Sequence, residues 1–199
     1  MTPLNLPGDL QWKNDPVDWS IGEDGTLSIT AGAKTDWFVD PSGNGWVSSN
    51  APAALFAPPV ENYLVSAKVT VNFASTFDAG VIALYERENV WTKLCFEYSP
   101  QGKPMIVSVV TRGFSDDCNS TVIDGNTIYL RVARIADAFA LHYSQDGKYW
   151  NLVRYFTMGK VENLRVGFLA QSPIGQGCHV VFSEIAYREG VLKDLRSGE

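Results

Sequence analysis

Residues 78–98, DAGVIALYERENVWTKLCFEY, indicate the fold class of this chain. Within them, residues 80–87 and 91–98 each alternate between apolar and polar side chains, as half-buried β-strands do. The three residues between these segments suit a tight connection. The stretch therefore predicts two adjacent antiparallel strands joined as a hairpin.

The second of these strands predicts which side chains share a face. Successive side chains of a strand point to opposite sides of the sheet, about 7 Å separating every second one. Leu94 and Phe96 would then face a core, together with Thr92 and Tyr98. Trp91, Lys93, Cys95 and Glu97 would share the other face, which makes that face the best candidate for a site.

The remainder of the chain predicts an all-β protein. At least ten strand-like segments follow one another, separated by turns, with no amphipathic helix before the tail. Because helices do not alternate with strands, the pattern favours a two-sheet antiparallel sandwich. Residues 113–124, GFSDDCNSTVID, are polar and predict a loop, and the tail at 189–199 predicts a short helix or a frayed end. One domain is predicted over residues 1–199, with its core at about 10–188.

Composition excludes several function classes. The formal net charge is −6 and the pI is about 4.9, which argues against binding to nucleic acid or to an anionic membrane. No basic and apolar leader opens the chain, and no apolar run approaches the ~20 residues of a membrane span. Three cysteines, without a CxxC spacing, suit reduced thiols in a cytoplasmic protein.

Seven short motifs carry a resemblance to a known family. They are LQW at 10–12, TDWF at 35–38, FDAG at 77–80, WTK at 91–93 with Glu97, VVTRGFSD at 109–116, YSQDGKYW at 143–150 and GFLAQSP at 167–173. In order and spacing the chain resembles DUF1349, a family of unknown function related to the yeast "regulation of enolase" protein. The family pattern often has an aromatic residue after the Ser-Asp pair, whereas Asp117 follows Ser115-Asp116 here.

The resemblance implies a jelly-roll sandwich of the concanavalin A-like lectin/glucanase type, with one concave sheet. Lectins, glycan-binding modules and glucanases share that fold. The resemblance implies no established reaction, because one fold supports many functions.

A polar groove is the first site hypothesis. The same every-second-residue rule, here called parity, places one polar side chain from each of three other strands on the face that begins at Trp91. The predicted groove then contains Trp91, Lys93, Glu97, Arg131, His142 and Gln171. Such a mixture suits sugars, whose hydroxyls need polar partners while their C–H faces stack on indole. The predicted rim comprises Asp36, Trp37, Asp78, Ser115 and Asp116. The other interpretation is a solvated sheet face with weak ion pairs.

Three functions follow from this groove. The first is non-catalytic binding of a carbohydrate or polyhydroxylated metabolite. The second is a glycan hydrolase using Glu97 with a loop partner, Asp78 or Asp116, or a lyase using Lys93 or His142 as the base. Against hydrolysis, the strand has Lys93 where a laminarinase-type Glu-x-Asp-x-Glu strand has another acid. The third is a regulatory protein-interaction module with an exposed apolar patch. The sequence predicts no metal site and no cofactor, and it leaves the oligomeric state open.

Overall fold

The computed structural model of the protein describes residues 4–199, and sixteen strands lie in that range. Numbered along the chain, sheet A has the order β1 (Gln11–Lys13), β6 (Ala53–Phe56), β15 (Arg165–Gln171), β8 (Ala79–Arg87), β9 (Val90–Tyr98), β10 (Pro104–Arg112) and β11 (Phe114–Val122). Sheet B has the order β14 (Asn151–Thr157), β13 (Ala138–Ser144), β12 (Thr127–Ile135), β7 (Tyr63–Val71), β16 (Gly177–Glu189), β3 (Leu27–Gly32) and β2 (Asp18–Ile21). A small hairpin joins β4 (Trp37–Val39) to β5 (Val47–Ser49).

The prediction of a two-sheet antiparallel sandwich is confirmed. Strand neighbours pair antiparallel throughout both large sheets, and the two sheets face each other across one apolar core. Phe168 of sheet A and Phe182 of sheet B meet across it with ring centroids 5.1 Å apart. Among the described residues, no helix is long and apolar enough to cross a membrane.

The predicted central hairpin is β8–β9. Its register runs from Ala79 opposite Glu97 to Tyr85 opposite Trp91, and Asn89 turns the chain with a positive φ of 58°. Asn is one of the few residues that adopt this left-handed conformation readily. Leu94 and Phe96 are fully buried in the core between the sheets, as parity predicts.

The outer face of sheet A is covered by a second apolar cluster. Trp37 of β4 packs on Trp91 of β9 with ring centroids 5.9 Å apart, and its indole N–H donates to the carbonyl of Ala51 at 3.0 Å. Both indoles are fully buried. The predictions that Trp91 is an exposed stacking plate and that Trp37 lies on a rim are therefore wrong. Parity identifies a face but not the segment that covers it.

The outer face of sheet B is covered by the C-terminal tail. Leu192 is buried in a small cluster with Leu64, Ala133 and Ala140. Backbone bonds from Gly198 and Glu199 to the carbonyl of Asp194 close a turn. Residues 190–199 form neither the predicted helix nor a frayed end, because the tail buries apolar side chains against the sheet.

Residues 113–124 are not the predicted loop. Most of them form β11, the edge strand of sheet A, which pairs with β10 from Arg112 opposite Phe114 to Met105 opposite Val122. An edge strand has one neighbour, and all but two of its nine side chains are exposed. A polar sequence is therefore compatible with a strand here, and polarity alone misled the prediction.

Candidate functional site

A pocket of about 470 Å³ opens on the outer face of sheet A, beside the β4–β5 hairpin. The strands β9, β10 and β11 and the end of β15 supply its floor, and loops on either side supply its walls. Its polar side chains are Asp36, Lys93, Glu97, Ser99, Gln101, Asp117, Asn119 and Gln171. The pocket therefore brings together three acids, one base, amides and a hydroxyl.

The floor of the pocket is a closed hydrogen-bond network around Lys93. Its ammonium donates to Asp36 Oδ1 and to Gln171 Oε1, each at 2.9 Å, and only 2% of the residue is exposed. The amide of Gln171 in turn donates to the carbonyl of Phe77 at 3.2 Å. Burial, the largest single effect, lowers the pKa of Lys93, but the charge and hydrogen bond of Asp36, together with Cys95 and Glu97, raise it above its usual value. Lys93 is thus a charged and satisfied group, unsuited to act as a base.

Glu97 is the unsatisfied acid of the pocket. Burial, with smaller contributions from the charges of Asp117 and Asp36, raises the pKa of Glu97 to about 8 against the attraction of Lys93. Among residues 4–199 it has no hydrogen-bond or ion-pair partner. A carboxyl in this state is mostly protonated at pH 7, so it can both donate and accept a hydrogen bond.

Asp117 lies at the exposed side of the same pocket. Partial burial raises the pKa of Asp117, Lys93 works against that rise, and Asp36 and Asp116 add to it. Asp117 is not among the predicted site residues, because the polar sequence of residues 113–124 predicts a loop. Residues 115–121 do not alternate between apolar and polar side chains, so the one local signal is Gly113, whose φ of 85° turns the chain between β10 and β11.

Aromatic and apolar side chains form the walls. Trp46 is 49% exposed, and Phe38 and Phe77 lie partly buried in the same lining. The backbone of Asp40 donates to the carbonyl of Trp46 at 2.9 Å, while its carboxylate accepts from the backbone of Ser42 at 2.7 Å. These bonds fix the loop that presents Trp46.

Four predicted site residues lie together in the pocket, namely Asp36, Lys93, Glu97 and Gln171. Asp78 and Ser115 are buried supports instead of rim residues. Asp78 accepts from the hydroxyl of Ser172 at 2.7 Å and from the backbone of Ser75 at 2.8 Å. Ser115 accepts from the backbone of Val39 at 2.9 Å, which ties β4 to the sheet edge.

Asp116 points away from the pocket. Its carboxylate accepts from Arg154 of β14 at 2.6 Å and so links the edges of the two sheets. Asp78 and Asp116, which the sequence predicts as loop partners of Glu97, therefore do not reach the Glu97 carboxyl. Asp36 and Asp117 are the acids that share its pocket.

Arg131 and His142 do not belong to the groove. Both lie on sheet B beneath the tail, where Arg131 donates to the carbonyl of Gly198 and His142 donates to that of Leu195, each at 2.8 Å. Burial lowers the pKa of His142 to about 4. The prediction that they share a surface with Glu97 is wrong, because equal parity on strands of different sheets does not bring side chains together.

No group of three or more His, Cys, Asp or Glu side chains within the described chain is placed to hold a metal ion. Of the three acids of the pocket, Asp36 is paired with Lys93, and Glu97 and Asp117 line the remaining volume.

Comparison with known proteins identifies a family and a fold. The model of DUF1349, described as a protein of unknown function, matches residues 12–190. No curated protein matches the sequence. A functionally unknown protein from Saccharomyces cerevisiae superposes with a TM-score of 0.81 at 25% identity, covering 92% of this chain and 98% of that one.

Two further solved structures share the fold at lower identity. The GH43 protein BlXynB from Bacillus licheniformis has a TM-score of 0.72 at 18% identity, covering 94% of this chain but 38% of its own length. An alginate lyase from Klebsiella pneumoniae has a TM-score of 0.54 at 10% identity, covering 86% and 84%. At these identities the likeness establishes the sandwich and not an activity.

Proposed function

We propose for this chain, which belongs to the DUF1349 family, that the pocket on sheet A binds a carbohydrate or another polyhydroxylated metabolite without transforming it. The observation that carries the proposal is the lining of the pocket. A half-exposed indole, Trp46, shares a volume of about 470 Å³ with acids and amides that have hydrogen-bonding capacity to spare. A sugar needs both kinds of surface, because its C–H faces are apolar and its hydroxyls are not.

The polar groups of the pocket match hydroxyl groups in particular. A protonated Glu97 donates and accepts, as a hydroxyl does, and the amide of Asn119 offers both functions at the exposed side. Asp117 accepts. Proteins described as a glycoside hydrolase and an alginate lyase share the fold, which agrees with a sugar ligand but does not carry the proposal.

Binding is favoured over lyase chemistry by the state of the candidate bases. Lys93 is locked between Asp36 and Gln171, and His142 lies under the tail on the other sheet. Neither is available to take a proton from a ligand in the pocket. A regulatory protein-interaction module, the third hypothesis, would need an apolar docking face, and the charged floor of this pocket does not supply one.

A hydrolase is the second candidate, and one observation favours it. Glu97 is held protonated near neutral pH, as a general acid must be, and the same pocket contains two further carboxyl groups. If this function is correct, the protein releases the aryl alcohol from nitrophenyl glycosides and E97Q abolishes the release. Binding without turnover in the same assay supports the non-catalytic proposal.

The test is a thermal-shift screen with sugars and polyols, followed by titration calorimetry of any hit. A ligand that binds the native state raises the melting temperature. In W46A the loss of the indole should weaken binding about tenfold. W19A is the matched control, because Trp19 is also 49% exposed but lies on sheet B. The proposal fails if no sugar or polyol binds, or if W19A and W46A weaken binding equally.

We also propose that the protein works in the reducing cytoplasm. All three cysteines are free thiols: Cys95 and Cys178 are buried, and Cys118 is exposed. In an oxidising compartment the exposed thiol of Cys118 would be open to oxidation. Fractionation of cells that express the tagged protein tests this directly.

A further inference from the structure

The charges of the pocket do not balance. Lys93 and Asp36 form an ion pair at 2.9 Å, and together they contribute no net charge to the floor. Glu97 and Asp117 remain, and neither forms an ion pair with a Lys or Arg in the part of the chain that the structure describes. Lys34 donates to the carbonyl of Ile174, a residue of the pocket lining, but Lys34 itself does not line the pocket.

Every charged group that faces Glu97 can be named. Lys93 lies on its own strand, Asp36 on the loop before β4, and Asp117 on β11. The neighbouring strands contribute Ala79 and Met105, which are uncharged. Once Lys93 is assigned to Asp36, Glu97 has acids as its remaining charged neighbours. A ligand that carried a positive charge would pair with Asp117 and would favour the ionised form of Glu97 over the protonated one.

The walls also suit a cation. Ammonium groups are attracted to the faces of aromatic rings, most strongly to indole, within about 6 Å of the ring centre. Trp46 and Phe38 line the pocket, and Trp46 is half exposed. Aromatic faces beside uncompensated carboxyls are a combination that recognises alkylammonium groups, whereas a neutral sugar needs only the rings and the hydrogen bonds.

We infer that the preferred ligand is an amino sugar or amino polyol, whose ammonium group pairs with Glu97 and Asp117 while its hydroxyls occupy the rest of the pocket. This inference rests on the proposed function and names the ligand class for that site. No covalent step is involved. Binding transfers a proton from Glu97 to the solvent, because the carboxyl must ionise to pair with the ammonium.

The first experiment uses matched pairs of probes: glucose with 6-amino-6-deoxyglucose, and sorbitol with 1-amino-1-deoxysorbitol. The amino member of a pair should bind about tenfold more tightly at pH 7.5, since a hydrogen bond to a charged group is stronger than a neutral one. Calorimetry in buffers of different ionisation enthalpy should detect the release of most of one proton per ligand at pH 7. Affinity for the amino member should rise from pH 6 to pH 7.5, and affinity for the neutral member should not.

Two variants assign the effect to its residue. E97Q should reduce the preference for the amino member to about twofold and abolish the proton release. D116N is the matched control, because Asp116 is adjacent to Asp117 in sequence but pairs with Arg154 outside the pocket. D116N should leave both the preference and the proton release unchanged.

The outcomes separate the two proposals. If neutral members bind as tightly as amino members, the ammonium inference is overturned and the proposed function stands. If no amino sugar or amino polyol binds while a neutral member of the screen does, the inference is overturned and the proposed function stands; if nothing in the screen binds, both are overturned. If the preference persists in E97Q, or if binding releases no proton, Glu97 is not the partner of the ammonium and the inference is overturned in that form.

Discussion

The outer faces of the two sheets each bury a basic side chain, and they do so differently. On sheet A, Lys93 pairs with the carboxylate of Asp36 at 2.9 Å. On sheet B, Arg131 donates to the carbonyl of Gly198 at 2.8 Å and lies 4.1 Å from the ring centroid of Trp150, and no carboxylate of residues 4–199 forms an ion pair with it. Its Nε has no hydrogen-bond partner among the described residues.

The pKa values follow the partners. Burial, with a smaller contribution from the charge of Arg188, lowers the pKa of Arg131 to about 10. Burial also lowers the pKa of Lys93, but Asp36 and its other neighbours raise it above its usual value. The segments that cover the two outer faces also differ in how much of the sheet they leave open to solvent. The β4–β5 hairpin leaves a pocket beside Lys93, while the tail closes over its sheet with Leu192. The segment over sheet A supplies the carboxylate of Asp36, which stabilises a buried cation beside an open pocket. The tail over sheet B supplies carbonyls and apolar side chains, which close that face to solvent.

The largest effect is expected from breaking the ion pair of sheet A. K93M removes the cation and leaves the buried Asp36 carboxylate without compensation, so the free energy of unfolding should fall by about 3–5 kcal/mol. Urea denaturation at pH 7 measures it. K68M is the control, because Lys68 makes an ion pair with Glu184 that is largely exposed and should cost about 1 kcal/mol or less. Equal losses in the two variants would contradict the assignment of Lys93 as a buried, paired charge.

The second largest effect is the change of stability with pH that Glu97 causes. An unfolded Glu ionises near pH 4.5, but Glu97 in the folded protein ionises only near pH 8, where its pKa lies. Between these values the unfolded state binds fewer protons than the folded state, so stability falls as pH rises. E97Q cannot ionise and should gain about 3 kcal/mol over wild type between pH 4.5 and pH 8. Urea midpoints across that range measure the gain, and pH profiles that run parallel to wild type would refute it.

The alternation of side chains along β9 correctly predicted which of them share a face of the sheet, but not which segments pack on that face. The alternation of β9 placed Leu94 and Phe96 in the core and brought Lys93 and Glu97 to the opposite face. It could not reveal that Trp37, from a distant loop, covers Trp91, because that contact depends on a hairpin whose position is set by the tertiary fold.

Two other failures have separate causes. Arg131 and His142 have the expected parity, but β12 and β13 lie in sheet B, and strand order is not contained in periodicity. Asp117 escaped prediction because an edge strand with exposed side chains has the composition of a loop. Local pattern thus predicted half of the polar pocket, and the rest depends on topology and on what solvent can reach.

The smallest effect is the change of stability with pH that His142 causes beneath the tail on sheet B. Its sign is opposite to that of the change caused by Glu97. An unfolded imidazole takes up a proton near pH 6.5, whereas His142, buried and with Nδ1 unpartnered among the described residues, does so only near pH 4, where its pKa lies. As pH falls from 6.5 to 4 the unfolded state binds more protons, so wild type should lose about 2 kcal/mol relative to H142Q.

H142Q keeps an amide donor for the carbonyl of Leu195, so the tail should remain docked at pH 7. Because stability falls toward low pH through His142 and toward high pH through Glu97, each variant should flatten one side of the pH profile and leave the other side unchanged. If H142Q instead flattens the side above pH 6.5, or if neither side changes, the tail does not keep the imidazole neutral. The contrast between a sealed face and an open one would then lose its electrostatic basis.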